Sequence, residues 1–172
     1  RIREDTAACG RWKVGYVLKY FDELTNAMSM LADNKAIFLG QSIAYDGQAM
    51  HRSFAGVPMN QRIEMPVTED LQMGVSTGLS LAGHLPVCVY PRIDFMLLAA
   101  NQLVMHLDRF PVMSSYHPKV IGRTAIGSTE PLNPGPQHCN DHTEAFRRML
   151  KTVEILEVTC AESVKYAYAY AL

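Results

Sequence analysis

The stretch IEMPVTEDLQMGVSTGLSLAGHLPVCVYP, from Ile63 to Pro91, constrains the fold more than any other part of the chain. A short strand-like piece runs into two carboxylates, Glu69 and Asp70. A nearly uncharged, glycine-spaced helical segment comes next, closed by Gly83, and then the apolar strand LPVCVY. Strand, helix and strand in that order make a βαβ unit, whose strands lie parallel. Parallel strands are buried on both sides, so helices must cover each face.

The same alternation runs along the rest of the sequence. YVLKYFDELTNAMSMLAD carries Val17, Tyr20, Phe21, Leu24, Met28 and Leu31 at helical spacing, and AIFLG reads as a strand ended by Gly40. Asp94 to Phe110 is expected to be the longest helix, and PKVIGRTAIG a strand that enters a Gly- and Pro-rich loop. DHTEAFRRMLKT reads as an amphipathic helix with Asp141 near its start, VEILEV as a final strand, and AESVKYAYAYAL as a final helix. The expected class is α/β, a parallel sheet flanked by helices on both faces. Residues 1–13, RIREDTAACGRWK, read as a polar leader without a secretory h-region, and 14–172 as one domain.

Composition narrows the function classes. With 172 residues, 48% apolar and 19% charged, the chain can bury one substantial core. A net charge of −1 argues against a nucleic-acid or anionic-membrane surface. No apolar run has the length of a membrane helix. Cys9, Cys88, Cys139 and Cys160 form no CxxC pair, so reduced thiols and a cytoplasmic location are expected.

In such sheets, ligands sit beyond the carboxyl ends of the strands. Those ends here are Gly40–Gly47, Pro66–Asp70, Tyr90–Phe95 and Gly127–His138. Glu69 and Asp70 fall in the first turn of their helix, where the macrodipole favours negative charge by about 0.3–1 kcal/mol. Gly74 and Gly78 strip side chains from one stripe, so another group can come close, and the carboxylate at the helix head is expected to be partly desolvated. HCNDH places two His, a Cys and an Asp within five residues, with no second cluster to complete a metal site.

The pieces FLGQSIAYDG, MPVTEDLQMGVSTGLSLAGHLPV, IDFMLLAANQLV and NPGPQH occur in an order and spacing that resemble the pyrimidine-binding domain of thiamine-diphosphate enzymes. From about Tyr20 to Leu172, the chain is most similar to the beta subunit of the 2-oxo-acid dehydrogenase decarboxylase component and, more distantly, to transketolase. The resemblance implies that Glu69, in the family's PxxE position, hydrogen-bonds the ring nitrogen of the cofactor's aminopyrimidine. That bond favours the imino tautomer, whose exocyclic nitrogen takes the thiazolium proton. Phe95 falls where the family sets an aromatic ring on the pyrimidine, and His138 matches the histidine facing the reacting carbon and substrate. Asp70 is left to serve the helix terminus.

The chain also departs from that family. Gln41 stands where many relatives have Glu, which replaces an acid near the substrate channel by an amide. Arg92 stands where relatives are usually apolar, and fits either a carboxylate or phosphate on a substrate or a surface salt bridge. Gln41, Arg92 and His138 are therefore candidate substrate-side residues. The further domain of the beta subunits does not come after Leu172, so a shorter, self-contained assembly is expected. The sequence has no Gly-Asp-Gly motif of the kind that holds the diphosphate and its Mg²⁺. The expectation is thus half an active site: a separate subunit supplies the diphosphate-binding domain, in a homodimer or heterotetramer acting on a 2-oxo acid or a ketose. The alternatives are a transketolase-like two-carbon transfer between sugars and a non-catalytic α/β binding module.

Overall fold

The computed structural model describes residues 14–127, 129 and 133–172. Residues 1–13, the expected leader, lie outside them. The elements run α1 (Val14–Asp33), β1 (Ile37–Gly40), β2 (Arg62–Glu64), α2 (Glu69–Leu81), β3 (Pro86–Tyr90), α3 (Ile93–Met96), α4 (Phe110–Met113), β4 (Ile121–Thr124), α5 (Thr143–Met149) and α6 (Ala161–Ala171). The four strands form one parallel sheet in the order β2-β1-β3-β4, so the α/β class is the one observed.

β3 is central and buried at every position. Its alternating side chains feed two cores, because successive residues of a strand face opposite ways. Val87 and Val89, with Phe38 and Ile121, pack against Ala27, Met28 and Leu31 of α1 and Val164 and Tyr168 of α6. Cys88 and Tyr90 join Met73 of α2, Leu103, Leu107 and Phe146 of α5. Both faces are covered, and each large apolar side chain so buried contributes roughly 1.5–3 kcal/mol.

The periodicity of α1 is the one expected, and the way it ends is informative. Ala36 N–H bonds Leu31 O at 3.0 Å and Lys35 N–H bonds Ala32 O at 2.8 Å, a Schellman closure. The left-handed position it needs is filled by exposed Lys35, with φ of 61°. Glycine has no Cβ penalty there. Lys35→Gly is therefore expected to raise unfolding free energy by about 0.5–1 kcal/mol in urea titration; a loss of stability would contradict this account of the cap.

Two segments differ from expectation. The stretch from Asp94 to Phe110 is a helical path broken into α3, a π turn at Asn101–His106, a 3₁₀ turn at Leu107–Arg109 and the start of α4. Pro111 has no N–H to give Leu107 and so begins a new turn. The wide π turn rotates the residues after it, and Asp108 is turned fully inward. There its Oδ1 accepts the N–H groups of Lys151, Thr152 and Val153 at 2.9, 2.7 and 3.0 Å. The second difference follows that turn. Residues 153–158, expected as a strand, form no ladder among the described residues. Three successive N–H groups aimed at one carboxylate turn the backbone at Lys151–Val153, where the segment begins.

Candidate functional site

β1 ends at Gly40, and the chain then makes a long excursion before β2. Two charged side chains of β2 hold that excursion in place. Glu64 Oε2 accepts the N–H groups of Ile43 and Ala44 at 3.0 and 2.9 Å, while its Oε1 accepts that of Ser42. Arg62 donates to the carbonyls of Ile43, Phe54 and Val57. One strand thus binds the loop amides with its acid and the loop carbonyls with its base. Burial lowers the Arg62 pKa from its ordinary value, yet a guanidinium stays charged. Sequence reading missed both residues. The available signal was Arg-Ile-Glu itself, whose Ile63 is 39% exposed between two inward-serving charges.

The excursion delivers Gln41 to Glu69. The Gln41 amide nitrogen donates to Glu69 Oε1 at 3.1 Å, and Gln48 donates to the Gln41 carbonyl. Glu69 is the first residue of α2 and only 5% exposed. The acid pair of the sequence is therefore split: Glu69 is inside, and Asp70 is exposed and accepts from Gln102 at 3.4 Å. A Cβ on Gly74 would meet that Gln102 side chain only at ordinary contact distance, 3.6 Å, and Gly78 faces open space, so neither glycine is required by a close approach. The Tyr90 hydroxyl, at the end of β3, donates to the Glu69 carbonyl at 3.0 Å. Burial first, then Cys88 and the Glu69 and Asp70 charges, push the Tyr90 pKa far up, so it remains a donor. One turn along, buried Gln72 donates to Val89 O at 2.9 Å and to Cys88 Sγ, stitching α2 to β3. Sequence reading missed Gln72 too, because a lone Gln on a helix carries no sign of its partners.

The second group begins two residues beyond Tyr90. An Arg92 nitrogen donates to the His138 carbonyl at 2.7 Å. The Phe95 and His138 rings lie 5.3 Å apart, centre to centre, tilted by 40°. His138 Nδ1 is buried and takes no hydrogen bond among the described residues. The turn that carries His138 is tied down twice. A Cβ on Gly127 would lie 2.3 Å from Cys139 Cα, so only glycine admits that approach. Asp94 accepts from Asn140 at 2.6 Å and faces His142 at 3.4 Å. Thus Gln41 meets Glu69, and Arg92, Phe95 and His138 meet one another. The two groups share the carboxyl end of β3.

Burial alone would raise the Asp94 carboxyl, but bonds from Asn140 and its own backbone, with His142, outweigh it and hold its pKa below the ordinary carboxylate value. A depressed carboxylate contributes stability that is present above its unfolded pKa, near 3.9, and lost as pH falls through the folded value. Amide exchange in 138–142 is accordingly expected to speed up relative to β3 as pH falls below about 4, once the intrinsic pH dependence is removed. A constant ratio would show that Asp94 does not tie this turn.

A cavity of about 670 Å³ lies elsewhere, and its lining includes Ile121–Thr124 of β4 and most of residues 153–158. Its lining includes none of Gln41, Glu69, Arg92, Phe95 or His138. Among the described residues, no three His, Cys, Asp or Glu side chains gather as a metal site, and no helix is long and apolar enough to cross a membrane. A scan against protein-family models finds no match, and neither does a search of curated proteins.

Proposed function

We propose that this chain is the pyrimidine-binding half of a two-chain thiamine-diphosphate enzyme, acting beside a carbonyl of a 2-oxo acid or ketose in the cytoplasm. The observation that carries this reading is Glu69: a carboxylate at the carboxyl end of a parallel sheet, buried, with one oxygen held by Gln41. Its second oxygen takes no hydrogen bond among the described residues and is free for an aminopyrimidine nitrogen. The buried, unpartnered His138 Nδ1 beside the Phe95 ring fits the same ligand. When bound, the cofactor supplies a nucleophilic thiazolium carbon that adds to a carbonyl and takes up the electron pair of the neighbouring C–C bond.

The chain's own residues then have distinct tasks. Glu69 holds and exchanges a proton at its free oxygen. Phe95 presents a ring face, worth about 0.5–1.5 kcal/mol in stacking beyond area burial. Arg92 fixes the backbone at His138 and so aims its imidazole at the substrate side, where Gln41 also lies. Diphosphate and Mg²⁺ need further donors, which we assign to a separate subunit. Val67, Leu71, Leu97 and Leu98, all exposed, flank Glu69 and Phe95 in sequence and offer that subunit an apolar seat.

Calorimetry tests the half-site directly. Thiamine diphosphate with Mg²⁺ is expected to bind only when a subunit carrying the Gly-Asp-Gly motif is present, and not to the Glu69→Ala assembly. Binding that persists without Glu69, or fails with the partner present, would sink the reading. Gln41→Ala removes one bond to a charged group and should weaken cofactor affinity in the same assay about tenfold. Unchanged affinity would remove Gln41 from the site.

A further inference from the structure

We infer that residues 154–158 are a displaced fifth strand, poised to add to the free edge of β4 and narrow the cavity that both line. The topology sets this up. β4, α5 and the 153–158 segment succeed one another as a βαβ unit requires, and the right-handed crossover would lay the segment parallel to β4 at the sheet edge. On either side of it the chain packs on opposite faces: Phe146 of α5 lies in one core and Val164 of α6 in the other. The segment therefore passes the rim of the sheet where a strand after β4 belongs.

The edge it passes is unfinished. Among the described residues no backbone hydrogen bond joins Ile121–Thr124 to anything on the side away from β3. Ile121 and Arg123 are nonetheless buried, at 8% and 6% exposure, and the Thr124 hydroxyl is buried without a partner. Unpaired N–H and C=O groups along such an edge are a ready template for a further strand. The lining of the cavity of about 670 Å³ includes both Ile121–Thr124 and Val153, Glu154, Ile155, Leu156 and Val158. Moving the segment in to the strand spacing of about 4.8 Å would narrow it. Val153, Ile155 and Val158 are half-buried against it already, and Glu154 and Glu157 are exposed.

The ties that hold the segment away are equally specific. Asp108 binds the N–H groups of Lys151, Thr152 and Val153, just before it. Tyr170 donates to Glu154 at 2.9 Å, Arg147 pairs with Glu157 at 2.6 Å, and Tyr20 donates to the Val158 carbonyl at 3.3 Å. All are side-chain ties, and none replaces a ladder. The occupant is this segment and not a strand of another molecule, because a segment of the same chain meets the edge intramolecularly, at an effective concentration set by its tether and not by mixing. Closure reaches the site through β4's continuation: Ala125 O accepts Ile93 N–H at 2.8 Å and Gly127 N–H bonds Asn140 O at 3.2 Å. The device is thus a latch whose closing stiffens the chain on both sides of Phe95 and His138. Nothing in it requires the cofactor.

Amide relaxation dispersion on the wild-type chain tests this. The β4 amides that point away from β3 should show microsecond-to-millisecond exchange together with those of 154–158. Ile155→Pro, which removes a ladder donor, should abolish that exchange at β4 with the rest of the spectrum kept. Asp108→Asn loosens the tether and should slow hydrogen exchange of both sets at least about tenfold. If Asp108→Asn does not fold, the dispersion comparison decides alone. No dispersion at β4, dispersion unchanged by Ile155→Pro, or a folded Asp108→Asn whose two segments both exchange faster would overturn the latch.

Discussion

Glu64→Ala is expected to lower the unfolding free energy by about 3 kcal/mol, among the largest effects of any single side chain in this fold. The carboxylate takes the N–H groups of Ser42, Ile43 and Ala44, and Ile43 is fully buried. A bond to a charged group contributes roughly 1.5–3 kcal/mol, and buried donors left without an acceptor add their desolvation cost. Water can reach Ala44, which is half-buried, so three full bonds are not lost. The same substitution leaves the excursion to Arg62, with its carbonyl partners Ile43, Phe54 and Val57, and to Arg123, which donates to the Ser53 hydroxyl. Gln41 lies one residue before the first released amide, so its grip on Glu69 should loosen as well. Urea unfolding gives the stability. Glu64→Gln, which keeps an acceptor oxygen, should recover part of it. Equal stability of Glu64→Ala and the wild type would mean the loop is held by other means.

That prediction also marks the boundary between residues the sequence discloses and those it hides. β3 was legible because Pro86–Tyr90 is apolar throughout, and a run buried on both faces can only be central in a parallel sheet. α1 was legible because Leu24, Met28 and Leu31 repeat at helical spacing and end up in one core. Gly83 was legible as a stop, and it has the positive φ, 86°, that such a stop uses. These are local signals. Asp108 is the opposite case: its partners lie 43 to 45 residues away. Nothing near HLDRF hints that this acid will face inward and bind the turn that leads into VEILEV. VEILEV was read as a final strand, but it forms no ladder among the described residues, and pairing depends on distant groups that a local pattern does not name.

The site divides in the same way. Gln41, Glu69, Arg92, Phe95 and His138 were each placed from short motifs at strand ends, and the fold brings them into two contact groups. Which acid of the pair would turn inward was not decided by the helix dipole, since both lie in the first turn of α2. Position around the helix decided it: Glu69 lies beneath Gln41 and beside the end of β3, and Asp70, a step of about 100° on, faces outward. The supporting shell of Glu64, Arg62 and Gln72 was invisible, because each works through backbone groups that a motif does not name.

The difference between the two acids gives the sharpest test of the proposed chemistry. In the assembled enzyme, Glu69→Ala is expected to cut turnover by at least about 100-fold, since it removes both the cofactor contact and a positioned proton-transfer group, whose loss alone costs about that much. The loss should not come from unfolding. Tyr90 holds the main-chain carbonyl of Glu69, which the substitution keeps, and only the bond from Gln41 is given up. Circular dichroism and urea unfolding should therefore change little while turnover collapses. Glu69→Gln is the sterner variant: it keeps the size of the side chain and an oxygen for Gln41, but has no carboxylate to exchange a proton. Its turnover should fall nearly as far as that of Glu69→Ala. Asp70→Asn should leave turnover within about twofold, since an exposed carboxylate in a first helical turn contributes mainly to the helix, by some 0.3–1 kcal/mol. Equal losses at the two positions would point to the helix terminus and its negative charge, not to a single buried proton carrier. A Glu69→Gln enzyme with wild-type turnover would end the proton-transfer assignment outright, whatever its affinity for the cofactor.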